Sequence, residues 1–110
     1  MVLDWDGRTA PSPVHALAFA LAGCMSSDVV LTLQKGRLPL EGLRVQFSGE
    51  RAAEEPRRFV SVSLHFEVTG AVPPDRVERA IALSRETYCS VWHSMRPDIA
   101  FTTSFSVRDR

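Results

Sequence analysis

An α+β fold, with a mostly antiparallel sheet around helices, is what this sequence predicts, and three patterns predict it. A long apolar helical run opens at Ser12-Pro13. Three later segments alternate apolar and polar residues, and an amphipathic helical run from Asp75 lies between the second and the third. The order helix, strand, strand, helix, short helix, strand is that of an α+β fold. The 110 residues suffice for one domain, residues 1–110, small enough that a partner subunit would add stability.

The elements follow in order. Ser12 reads as an N-cap and Pro13 as a first helical residue, where the missing proline N–H does no harm. This helix runs to about Lys35, with Gly36 as its C-cap. Leu17, Leu21, Met25 and Val29 line one face at i+4 spacing, while Phe19, Val30 and Leu33 make other faces apolar too. The spacing predicts a central helix buried nearly all round, with Gly23 allowing another backbone close by.

Leu43, Val45 and Phe47 alternate with Arg44, Gln46 and Ser48 as a half-buried strand. Residues 49–56 form a polar loop or wide hairpin. Val60, Val62, Leu64, Phe66 and Val68 give the clearest strand, with Ser61, Ser63, His65, Glu67 and Thr69 on its wet face. These two strands are expected to pair antiparallel. Gly70 to Pro74 end the second one, and Asp75 caps a helix through about Tyr88, with Val77, Ile81 and Ser84 or Leu83 facing inward. A short helix over 90–95 is stopped by Pro97, and Ile99, Phe101, Thr103, Phe105 and Val107 mark a last strand.

Charge and composition exclude several function classes. Thirteen basic and thirteen acidic residues cancel, and the basic ones are scattered, so no surface is built to neutralise phosphates or anionic lipid. The strongly apolar stretch of the first helix runs about a dozen residues, against ~20 for a bilayer span. No nucleic acid or membrane partner is expected. Met1 to Asp6 carry no basic segment and no signal-peptide core, which predicts a cytoplasmic location where thiols stay reduced.

The chain has two cysteines, Cys24 in the apolar helix and Cys89 in Tyr88-Cys89-Ser90-Val91-Trp92-His93. They lie 65 positions apart, unlike the short spacings of zinc knuckles. Two inert buried thiols, or a redox pair with one nucleophile and one resolver, both satisfy the sequence. Asp28, one turn past Cys24, is unexpected on so apolar a helix; it reads first as a cap or a pairing group across a dimer, and as a carboxylate it would oppose thiol ionisation. His15 reads as a helix-start residue, about 13 Å from Cys24 along the helix axis. His65 reads as a surface residue, and His93, one turn after Cys89, is within reach of that thiol. Tyr88 and Trp92 read as core or interface anchors.

The string Ser12-Pro13-x-x-Ala16-Leu17-Ala18-x-Ala20-Leu21-Ala22-Gly23-Cys24-x-x-x-Asp28-Val29-Val30 resembles the signature of the OsmC/Ohr family. So does Val77-Glu78-Arg79-Ala80-Ile81-x-Leu83-Ser84-x-Glu86-x-Tyr88-Cys89-Ser90-Val91, and the hairpin with Gly49-Glu50-Arg51 and Pro56-x-x-Phe59 between them. The match covers residues 12 to 107 and places one cysteine in each motif.

The resemblance implies an intertwined homodimer with the cysteine-bearing helices at its centre. It implies a thiol-dependent peroxidase that reduces organic hydroperoxides and is re-reduced by an external dithiol such as a dihydrolipoyl group, with no bound cofactor and no metal. By position, Cys24 would be the peroxidatic thiol and Cys89 the resolving one. The family's peroxidases hold an activating arginine from an N-terminal strand with a glutamate just after the helix-opening proline. That N-terminal hairpin is largely missing here, with Val14 and His15 at the glutamate positions; Arg8, the nearest upstream cation, is the candidate to stabilise the thiolate. The rival reading is a non-catalytic module of the same fold that binds a small apolar or thiol-reactive ligand at the dimer interface.

Overall fold

The computed structural model describes residues 2–109. Helix α1 spans Pro13–Lys35, strand β1 Leu40–Arg51, strand β2 Phe59–Gly70, helix α2 Pro74–Leu83, helix α3 Ser90–His93 and strand β3 Ala100–Arg108. A π-helical turn, Ser84–Tyr88, joins α2 to α3.

The α+β architecture stands, with strand order β1-β2-β3. Strands β1 and β2 form an antiparallel hairpin, with Val45 opposite Phe66 and Phe47 opposite Leu64. Strand β3 joins the other edge of β2 in parallel, with Phe66 opposite Phe105, so the sheet is mixed. The reason lies in the connection: α2, the π turn and α3 carry the chain back to the start of β2, which only a parallel pairing allows. Val62, Leu64, Phe66 and Val68 project from one face of β2 into the core.

On the same core converge Leu21, Met25, Val29 and Leu33 of α1 and Val77, Ala80 and Ile81 of α2. The polar face of β2 is tied down too. His65 exchanges a hydrogen bond with Ser104 Oγ (2.7 Å) and a longer one with Ser106 Oγ (3.4 Å), both across the parallel pairing. His65 is thus a half-buried strand clasp more than a freely solvated histidine.

Helix α1 begins as its sequence predicts. Ser12 Oγ accepts from the His15 N–H, and Pro13 opens the helix. Its burial differs from expectation: Ala18, Leu21, Met25, Val29 and Leu33 are buried, but Phe19 (61 % exposed) and Leu31 (54 %) face outward. One chain covers one side of this helix. By length and composition the 23-residue helix could also cross a membrane, contrary to the dozen-residue estimate; here its apolar face is the core of the fold. At its end the left-handed residue is Arg37 (φ 54°), one past Gly36, with the Leu38 N–H reaching back to Leu33 O.

Two further details correct the sequence reading. Asp75 lies inside the first turn of α2 and not at its cap, because Pro73 occupies the cap with no side-chain bond. Gly70 (φ 129°) is required: a Cβ there would lie 2.3 Å from Pro39 O.

Candidate active site

The two cysteines reach one point from two helices. Cys24 sits on the flank of α1, half-buried between its core face and its exposed face. Cys89 arrives through the π turn. There the Cys89 N–H bonds to Ser84 O, five residues back, at 2.8 Å. That wide turn adds about one residue relative to an α-turn. Continuing the α period from Val77 and Ile81 through Ser84 would bring Tyr88 inward; instead Cys89 is fully buried and Tyr88 is 63 % exposed. Of the two roles expected for Tyr88, core or interface anchor, its exposure removes the core one. Trp92 does anchor, with its ring 4.5 Å from that of Phe101.

Cys24 Sγ, Cys89 Sγ and a carboxylate oxygen of Asp28 all lie within 4.8 Å of one another. Both cysteines are free thiols. The start of α3 closes the site with donors. Cys89 is its N-cap, and its sulfur accepts from the Trp92 N–H at 3.3 Å. The Val91 N–H points to Cys24, and Ser90 Oγ lies 3.9 Å from Cys24 Sγ. Asp28 is held from the other side by Ser84, whose hydroxyl donates to Oδ2 at 2.6 Å.

These neighbours split the two thiols. Partial burial pushes Cys24 up, as does the Asp28 carboxylate, but the Val91 N–H, the Cys89 thiol and the Ser90 hydroxyl outweigh them and bring it below its ordinary value. Burial dominates at Cys89, and with the Cys24 charge beside it the thiol is pushed up to about 11. Cys24 is the more acidic thiol of the pair, and Cys89, which holds its proton more tightly, donates to it.

Arg8 is not brought to this point. Its guanidinium is 82 % exposed and lies 3.8 Å from Asp6, while its N–H donates to the carboxylates of Asp4 and Asp6 in a turn organised by Asp4. Among the groups named above that act on Cys24, none is a cation; the Val91 N–H, the Cys89 thiol and the Ser90 hydroxyl do that work. The His93 N–H donates to the Cys89 carbonyl at 3.1 Å, and its side chain is exposed. His15 is exposed at the far end of α1.

Sequence reasoning missed Val91, Ser84 and Ser90 as site residues. The pattern Cys89-Ser90 directly after a helix, reopening into Val91-Trp92-His93, was the available signal that N–H groups point back at a thiol. Two thiols and a carboxylate could also ligate a soft cation, one donor short of a closed tetrahedral set. Beside the start of α1 lies a cavity of about 340 Å³ with Leu17, Met95 and Ile99 in its floor and Arg51, Arg57 and Arg96 at its rim.

Comparison with known proteins agrees with this fold. The chain is 42 % identical over 103 residues to Protein YhfA of Escherichia coli (strain K12), a match spanning 93 % of this chain and 77 % of that protein. Its fold superposes on a hypothetical protein from Aquifex aeolicus VF5 with a TM-score of 0.87 at 25 % identity, covering 92 % of this chain and 76 % of that one. It also superposes on an organic hydroperoxide resistance protein OsmC from Legionella pneumophila with a TM-score of 0.73 at 23 % identity, covering 90 % and 72 %. The family model for OsmC-like proteins matches residues 6–104, through both cysteine-bearing segments and β1 and β2 and into β3, and the chain therefore belongs to the OsmC-like family.

Proposed function

We propose that this protein is a thiol-dependent peroxidase for organic hydroperoxides, with Cys24 as nucleophile and Cys89 as resolver. The observation that carries it is the convergence of two free thiols from separate helices, one favoured as thiolate and half-exposed, the other protonated and buried. Cys24 sulfur attacks the terminal oxygen of the hydroperoxide. The O–O bond breaks, the alkoxide leaves and takes a proton to become an alcohol, and the sulfur becomes a sulfenic acid. Cys89 sulfur then attacks that sulfur, the S–O bond breaks, and water leaves as the disulfide forms. An external dithiol returns two electrons, and no bound cofactor or metal enters the cycle. The reading fits a reducing compartment such as the cytoplasm.

Cys24 is open to substrate, while Cys89 is shielded until the sulfenic acid forms beside it. The uncovered side of α1 supports a homodimer, as the wider resemblance implies.

The test is intact mass under denaturing, non-reducing conditions after one equivalent of organic hydroperoxide. A rapid loss of about 2 Da per chain (two hydrogens), absent in Cys24→Ser and in Cys89→Ser, is the expected result. No change, or slow gain of oxygen, sinks the peroxidase reading and leaves the ligand-binding module, with its ligand at the dimer interface.

A further inference from the structure

A carboxylate between two sulfurs that must react as anions looks counterproductive, since Asp28 opposes ionisation of Cys24. Its placement suits a later moment. When Cys89 attacks the sulfenic acid, its proton must go somewhere, and the departing hydroxide must receive one. The Asp28 carboxylate lies within 4.8 Å of both sulfurs and is oriented by the Ser84 hydroxyl at 2.6 Å. Ser84 is fully buried and comes from the same π turn that delivers Cys89, so resolver and carboxylate are set by one piece of backbone.

We infer that Asp28 carries the proton of the resolving step, taking it from the Cys89 thiol and giving it to the oxygen leaving Cys24, with Ser84 as its positioning residue. The inference rests on the thiol-peroxidase reading. Its balance is closed: the Cys89 S–H and the Cys24 S–O bonds break, the S–S bond and one O–H bond of water form, and Asp28 ends as it began. No co-reactant is needed. Asp28 contributes nothing to the first step, where a negative charge beside the attacking thiolate gives no help.

The experiment separates the two steps. Wild-type, Asp28→Asn and Ser84→Ala proteins, pre-reduced, receive one equivalent of cumene hydroperoxide in the presence of a 1,3-diketone that traps sulfenic acid, and mass is followed with time. For the wild type, the disulfide forms and little adduct appears. For D28N, hydroperoxide is consumed within about threefold of the wild-type rate while disulfide formation slows about 100-fold and the adduct accumulates, in line with the usual worth of general acid–base catalysis. S84A gives the same separation at about tenfold, since the carboxylate stays but loses its orientation. It is the readout if D28N fails to fold.

A purely structural role would slow both steps together, and that outcome overturns the inference. Disulfide formation at the wild-type rate in both variants overturns it as well. A wild-type protein that yields neither adduct nor disulfide defeats the peroxidase reading itself, and the inference with it.

Discussion

Cys24 and Cys89 are chemically unequal although they are the same residue type a few ångströms apart. Hydrogen bonds from Val91, Cys89 and Ser90 overcome burial at the first; burial prevails at the second. In the reduced protein, Cys24 is therefore expected to react with iodoacetamide at a pH below that of a free thiol, and Cys89 only near pH 11, as peptide mapping of alkylated protein will show. Stability should follow the same asymmetry. A thiol whose folded value is raised from 9.0 to about 11 contributes stability below pH 9 that is lost as pH rises through 11. Cys89→Ser is expected to remove that part of the alkaline decline in urea denaturation; an unchanged difference between pH 8 and pH 11 would contradict it. Both thiols were visible in the sequence because cysteine announces itself. The donors that tune them were not, because a backbone N–H has no side-chain signature, and Arg8 stood out only as the nearest written cation.

At the level of elements, the strand alternation and the Ser12-Pro13 start were legible because they are local. The π turn, the parallel pairing of β3 and the cap of α2 depend on what packs against them, and no local pattern records that. Two substitutions probe this level. Gly70→Ala places a Cβ against Pro39 O in a backbone region that L-residues rarely adopt. A loss of at least about 2 kcal/mol in denaturant unfolding is expected. Met25→Ala, fully buried one residue after Cys24, is expected to cost about 2–5 kcal/mol.

For the whole molecule, the apolar composition of α1 predicted burial all round, and one chain supplies only half of it. Phe19, Gly23, Ser27 and Leu31 share the exposed side. That half-finished burial is the face the proposed homodimer would cover, and the dimer is tested by sedimentation at micromolar concentration. Gly23→Arg is a clean probe, since a Cβ at that position meets nothing in its own chain within 4 Å. The variant should fold and sediment as a monomer; a wild-type protein that is itself a stable monomer would refute the dimer.

The parallel β2–β3 pairing also bears on how the protein is born. Val62 waits for Phe101 and Val68 for Val107, 39 residues later in each case. Until residues 100–108 clear the ribosomal exit, β2 has one paired edge and one bare edge of unpaired backbone N–H and C=O groups. The hairpin and α1 can assemble during synthesis, but the sheet is closed only by the last strand. Nascent chains stalled before Ala100 are thus the form of this protein that calls most strongly for a chaperone.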